Sequence, residues 1–341
     1  MNTIRKWRRW GIGTVLLLAT VMSAYGESLP NQLRGAPFTS PEKKVTMPQK
    51  WLAKPIIHAE DAQGVDLVIN MDQQFYFMLE PLIVGFAKEK GWKVKLIEGT
   101  CGTAEAMLRR KNLDIGGFCC PPALTDRLPG LEFHTLGLQS VALLVHPSNP
   151  VTNVTIGQLR DIYQNKINNW NELSTPEGGK GPDLPIRAVL RAHCNLRPGH
   201  WRLILDNKDL FGPRILDVGS IDDMVLEVSR NPSAIGYEEL PTVRRLGKGS
   251  MVKTIQVNGV APDDSMGLAQ GRYPVYQLIN LSIWTEDHTK SDKAIELVEH
   301  LKDQMEHLDP QNHFVPTRIL RHTGWKFTGP EVTGEPELME K

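Results

Sequence analysis

The chain has 341 residues, with 39 Lys+Arg against 39 Asp+Glu, 40% hydrophobic and 23% charged residues. That is enough chain for two domains or one large α/β unit, and its ordinary globular composition excludes wholesale disorder, collagen and multi-span membrane classes. The zero net charge argues against a nucleic-acid binder, because neutralising phosphates needs a basic excess.

In chain order, residues 1–26 read as a secretory signal peptide. Arg5, Lys6, Arg8 and Arg9 precede an apolar run from Gly11 to Met22, and small residues follow at Ser23, Ala24 and Gly26. Twelve apolar residues span about 18 Å as a helix, too short for a ~30 Å hydrocarbon core. Taking those four basic residues from 39 leaves 35 against 39 acids, so the mature chain carries −4. No comparable apolar run follows, and a mature periplasmic protein without a membrane span is expected.

Residues 27–61 are rich in Pro, Ser, Gln and Lys and read as an extended leader. Short strand-like runs then alternate with helical ones: strand 65–69, helix 75–89, strand 92–97, helix 104–111 and strand 113–115. This alternation predicts an α/β fold of parallel sheets covered by helices, with ligand loops at strand C-termini and helix N-termini. The loops so placed are residues 70–74, 99–103, 116–122 and 191–199. At the far end, residues 326–341 read as a flexible tail.

Several segments carry a family resemblance. Residues 155–173 read TIGQLRDIYQNKINNWNEL, residues 184–191 read LPIRAVLR, 234–237 read AIGY, 271–275 read GRYPV, and Gly116-Gly117 follows Asp114-Ile115. In this order they resemble the bacterial periplasmic phosphate-binding proteins that feed ABC transporters, over about residues 64–320. The resemblance implies a two-lobed type II periplasmic-binding fold with a ligand cleft between lobes. One lobe would combine residues 62–143 with 272–325, and the other would hold 144–271. Residues 142–145 and 275–284 would be the hinge strands.

The resemblance also assigns a pocket, and this chain departs from it. Arg191 matches the family's anion-binding arginine, whose fork suits tetrahedral oxygens. Thr100 and Thr103 fall in the first-lobe loop at a helix start, with Cys101 between them. Cys119, followed by Cys120, stands where the family has an acid. After the arginine, where the family has hydroxyls and glycines, this chain reads His193-Cys194-Asn195-Leu196-Arg197. The expected ligand-binding set is thus Arg191, Thr100, Thr103, Cys101, Cys119, Asn195 and Arg197. All four cysteines of the chain fall on three loops that the fold would bring to one cleft.

Three readings of the cysteines stay open. Structural disulfides suit an oxidising compartment, with Cys101 pairing Cys119 or Cys120, since vicinal Cys119 and Cys120 bond each other only with strain. Thiolate ligation of a soft ion or an iron–sulfur cluster would use Cys101, Cys119, Cys120 and Cys194, with His193, His200 or His58 replacing one ligand. A thiol enzyme would use Cys194 with His193, but neighbours in a loop seldom reach triad geometry and no orienting acid is evident.

The expectation is therefore a monomeric solute-binding protein and not an enzyme. It would capture a small oxyanion, phosphate-like or a thiophilic relative such as an arsenic species, for an ABC permease or a sensor, without nucleic acid. The alternative is a soft-metal or iron–sulfur protein on the same fold, serving metal handling or electron transfer.

Overall fold

The structure, a computed structural model, describes residues 38–191, 204–205, 210–245, 251–308 and 313–337. The first described stretch is docked. Val45, Met47, Trp51 and Ile56 pack against the first core, and Trp51 of α1 (Gln49–Leu52) donates its indole N–H to the Arg109 carbonyl at 2.7 Å.

Strand β1 (Leu67–Asp72) is buried throughout and runs directly into α2 (Gln73–Lys90). Asp72 caps that helix by accepting the Gln74 N–H at 3.1 Å, and Gly91 ends it at φ 69°, a left-handed position that glycine adopts without strain. Strand β2 (Val94–Gly99) pairs parallel with one edge of β1, and β3 (Ile115–Phe118) with the other. Between them, α3 (Cys101–Arg110) opens on a reciprocal Thr100–Thr103 cap that satisfies two otherwise orphaned N–H groups.

Strand β4 (Leu131–Val145) then carries the chain from the first lobe into the second. There β5 (Asn153–Val154), α4 (Ile156–Tyr163), β6 (Arg187–Leu190), β7 (Leu216–Asp217), α5 (Ile221–Arg230), β8 (Ala234–Glu239), α6 (Leu240–Arg245), β9 (Lys253–Val257) and α7 (Ser265–Ala269) follow. Strand β10 (Tyr276–Trp284) returns antiparallel along β4 to the first lobe, where α8 (Asp292–Glu306) packs against α2. The chain closes with β11 (Phe314–Pro316), α9 (Thr317–His322) and the hairpin β12 (Lys326–Thr328) and β13 (Glu331–Gly334).

The strand order is β2-β1-β3-β10-β4-β8-β6-β7. The pairs β1–β2, β1–β3, β6–β8 and β6–β7 are parallel, as the alternating pattern predicts. The long connecting strands are not: β10 runs antiparallel to β3 and β4, and β4 antiparallel to β8. The returning strand β10 inserts between β3 and β4 and runs antiparallel to both, so the wholly parallel expectation fails where the chain passes between lobes.

Two hydrophobic cores result, and their boundary cuts through strands. Leu136, Ile279 and Phe314 belong to the first core, whereas Leu138, Leu278 and Val315 belong to the second. Gly137 sits at this division, opposite a register shift between Ile279 and Asn280. A Cβ on Gly137 would lie 2.3 Å from the Val315 carbonyl oxygen, so the crossing of three strands requires glycine.

The segment expected as a flexible tail is, over residues 326–337, anchored. Glu331 and Val332 are buried, and Glu331 takes both ends of the Arg127 guanidinium at 2.5 and 2.6 Å. Its polar composition is explained by a buried partner two hundred residues away. Among the described residues no helix is long and apolar enough to cross a membrane. The expected signal segment lies outside them.

Candidate functional site

At the C-terminal ends of β1 and β3 the chain gathers three thiols and a carboxylate. Asp72, Cys101, Cys119 and Cys120 are exposed by only 1%, 3%, 2% and 8%. Asp72 ends β1, Cys101 opens α3, and Cys119-Cys120 follows β3 directly. The Asp72 Oδ2 accepts the Cys101 backbone N–H at 3.0 Å and its S–H at 3.2 Å. The sulfurs of Cys101 and Cys119 are 3.3 Å apart, those of Cys119 and Cys120 3.5 Å, and none of the three is in a disulfide. The Cys119 N–H also donates to the Cys101 sulfur at 3.3 Å, and Asn280 holds the turn by donating to the Cys120 carbonyl at 3.0 Å.

The electrostatics of this cluster are shared among its members. Hydrogen bonds from the Cys119 and Cys120 thiols hold the Cys101 thiol well below its ordinary range, helped by its place at a helix start. The same bonds, seen from the other side, and burial push Cys119 up. Burial and the neighbouring Cys101 push the Asp72 carboxyl well up. The buried group thus favours one negative charge spread over thiol and carboxyl rather than several. The donor atoms of Asp72, Cys101 and Cys119 lie within 4.8 Å of one another, a chemistry suited to a soft ion.

A second charged group lies across the sheet, at the end of β6. Arg191 is 3% exposed and its Nη1 donates to Glu238 Oε2 at 2.5 Å. Its Nε and Nη2 have no hydrogen-bond partner among the described residues. Glu238 and its neighbour Glu239 end β8, both fully buried. Burial, and then the adjacent Glu238, push the Glu239 carboxyl well up, so of the two acids beside Arg191 this one resists ionising. The Glu238 and Glu239 carboxylates raise Arg191 against its burial.

Of the residues singled out by sequence, the structure brings Cys101, Cys119 and Cys120 together beside the α3 start. Thr100 and Thr103 are there too, with their hydroxyls committed to the helix cap: Thr103 Oγ1 accepts the Thr100 N–H at 2.6 Å and donates to the Thr100 carbonyl at 2.7 Å. His58 does not join them. It pairs with Asp114 at 2.7 Å, next to Val68, at the N-terminal ends of β1 and β3, the opposite end of the sheet from the thiols. His193, Cys194, Asn195, Arg197 and His200 lie outside the described residues.

Sequence reasoning missed Asp72, Glu238 and Glu239. An Asp followed by Gln-Gln at a strand end is a helix-capping signal, and two acids directly after Ala234-Ile-Gly-Tyr237 sit at a strand C-terminus where ligand loops begin.

A family model described as the PBP superfamily domain matches residues 58–294. Among solved structures, an ABC-type phosphate transport receptor from Vibrio cholerae is 21% identical with a TM-score of 0.60, covering 73% of this chain and 99% of its own. A phosphate ABC transporter substrate-binding protein with bound phosphate from Clostridium perfringens is 19% identical with a TM-score of 0.62, covering 73% and 98%. At these identities the likeness to the two structures is one of fold.

Proposed function

This chain belongs to the PBP superfamily, and on that footing we propose that it is an extracytoplasmic solute-binding protein. Its ligand is a small oxyanion, phosphate-like or a thiophilic relative such as an arsenic species, held between the lobes and handed to an ABC permease or a sensor. The observation that carries this reading is Arg191: a buried guanidinium at a strand C-terminus with two N–H donors unpartnered among the described residues. An oxyanion supplies the acceptors those donors lack, and leaving them unmet in a buried setting is costly. The mature chain's −4 charge gives no general attraction for anions, so binding relies on local donors.

The test is calorimetric titration of the purified, reduced protein with phosphate, arsenate, sulfate and arsenite. One oxyanion should bind per chain. Arg191→Lys keeps a charge beside Glu238 but loses the planar fork, and should weaken binding of a tetrahedral oxyanion at least tenfold. No binding of any of the four would overturn the reading.

A second reading, a soft-metal or iron–sulfur protein, is favoured by the clustering of Asp72, Cys101 and Cys119. Elemental analysis of anaerobically purified protein decides it: near-stoichiometric Fe, Cu or Zn supports it, and a metal-free protein counts against it.

A further inference from the structure

The thiol cluster singles out the thiophilic branch of that solute reading, and we propose that Cys101, Cys119 and Cys120 bind a trivalent metalloid hydroxide, the neutral trihydroxide of arsenic or antimony, through three sulfur bonds. This deepens the solute-binding reading and rests on it.

Charge balance is the first argument. The site is buried, and among the described residues no Lys or Arg side chain hydrogen-bonds or ion-pairs with Asp72, Cys101 or Cys119. Burial with no cation bonded to those three groups penalises net charge on them. Counting the thiolates alone, three leave −2 on Cu(I) and −1 on Zn(II). Three thiols meeting a neutral trihydroxide leave none. Three metalloid–oxygen bonds break and three metalloid–sulfur bonds form. Each thiol proton leaves with a hydroxide as water, and no electrons are transferred. Asp72, 3.2 Å from the Cys101 sulfur, stands where that thiol's proton can be passed on.

Geometry is the second argument. Tetrahedral zinc, with Zn–S about 2.3 Å, sets its sulfurs about 3.8 Å apart. The sulfurs here are 3.3 and 3.5 Å apart. A pyramidal three-coordinate centre carries its lone pair on the open side and draws its ligands closer together than a tetrahedron does, so it fits this spacing with less movement.

Polar atoms without partners are the third. Both amide atoms of Asn70 and of Gln74 are buried and lack hydrogen bonds among the described residues. Asn70 lies two residues before Asp72 on the same face of β1, packed so close to the α3 start that a Cβ on Gly99 would lie 2.5 Å from it. The backbone N–H of Gln74 binds Asp72. These amides offer hydrogen bonds to the entering trihydroxide and then to the water that leaves as each sulfur bond forms.

The experiment is equilibrium dialysis of the reduced, full-length protein against sodium arsenite, with sodium phosphate, Zn(II) and Cu(I) as parallel arms, followed by a count of reactive thiols. One arsenic per chain with three thiols masked, and three arsenic–sulfur contacts by X-ray absorption, is the expected result. Cys119→Ser should then weaken arsenite binding at least 100-fold, with circular dichroism reporting that the fold survives; the wild-type thiol count stands even where a variant misfolds. Phosphate binding with every thiol still reactive in arsenite would overturn this inference and leave the solute-binding reading intact. Binding of neither phosphate, arsenate, sulfate nor arsenite would overturn both. Stoichiometric displacement of arsenite by Zn(II) or Cu(I) would overturn the metalloid assignment in favour of a soft metal.

Discussion

Arg191 and Glu238 form a buried pair whose two members depend on each other. Both side chains are almost fully enclosed, at 2% and 1% exposure. Removing one partner leaves a charge in the core, at a cost of about 3–5 kcal/mol, whereas replacing both by apolar groups of similar size is often neutral. Arg191→Met should therefore lower the urea midpoint sharply, and adding Glu238→Leu should recover most of the loss. A double variant as unstable as the single would show that the pair is not what matters. Next to it, Glu239 titrates with the opposite consequence from an exposed acid. Its folded-state pKa lies above the usual carboxylate value because burial, and then Glu238, oppose its charge. Such a group contributes stability at pH below about 4.5, and that stability is lost as pH rises towards the folded pKa. Glu239→Gln should accordingly gain on the wild type between pH 4.5 and 8 in chemical denaturation. A constant difference across that range would mean that Glu239 is as charged folded as unfolded.

At the scale of elements, the alternation of strands and helices in the first lobe was readable from hydrophobic spacing alone, and the ordered landmarks were enough to resemble the family whose model matches. What spacing did not give were the ends. The second helix of that lobe was expected from 104 and begins at Cys101, because Thr100 and Thr103 close a cap upstream of the apolar pattern. Strand β1 was expected to stop at 69 and runs to Asp72, because that residue caps the next helix. Those few residues decide the site: they put Cys101 on the first turn of a helix and Asp72 against its sulfur. The contact of Asp72 with the Cys101 sulfur has no sequence signal, since the two are brought together only by parallel pairing of β1 with β2. Gly137 shows the same limit. Nothing local in the sequence marks it, yet β4, β10 and β11 meet there. Gly137→Ala sets a Cβ 2.3 Å from a backbone oxygen and 2.4 Å from the Phe314 ring. The ring can turn aside but the carbonyl cannot, so the variant should lose about 1–3 kcal/mol in urea denaturation. A midpoint equal to the wild type would mean that the strand crossing is looser than its geometry.

Across the whole molecule, the first and last described segments are sewn to its middle. The Arg127 guanidinium binds Glu331 with two parallel bonds and also donates to the Thr39 hydroxyl and carbonyl at 3.0 and 2.7 Å. One side chain thus joins the segment before the first lobe to the hairpin after the last helix. The hairpin is further held where the Val332 N–H donates to Thr135 Oγ1 at 2.9 Å on β4, and Trp325 packs edge-on against Tyr276 of β10. Composition made residues 326–341 look like a tail because nothing in a local window reveals a partner at Arg127. The staple also has a physical signature that a loose tail lacks. Burial pushes the Glu331 carboxyl up by more than Arg127 pulls it down, so the ion pair adds little stability of its own but is costly to break from one side. Glu331→Ala strands the buried Arg127 charge and should cost about 3–5 kcal/mol, whereas Arg127→Met with Glu331→Leu should cost distinctly less. Guanidinium denaturation of the two variants, with limited proteolysis near residue 326, reads both effects. If Glu331→Ala unfolds at the wild-type midpoint and the hairpin stays resistant to protease, the ion pair is dispensable and the hairpin is held by Val332 and Trp325 alone.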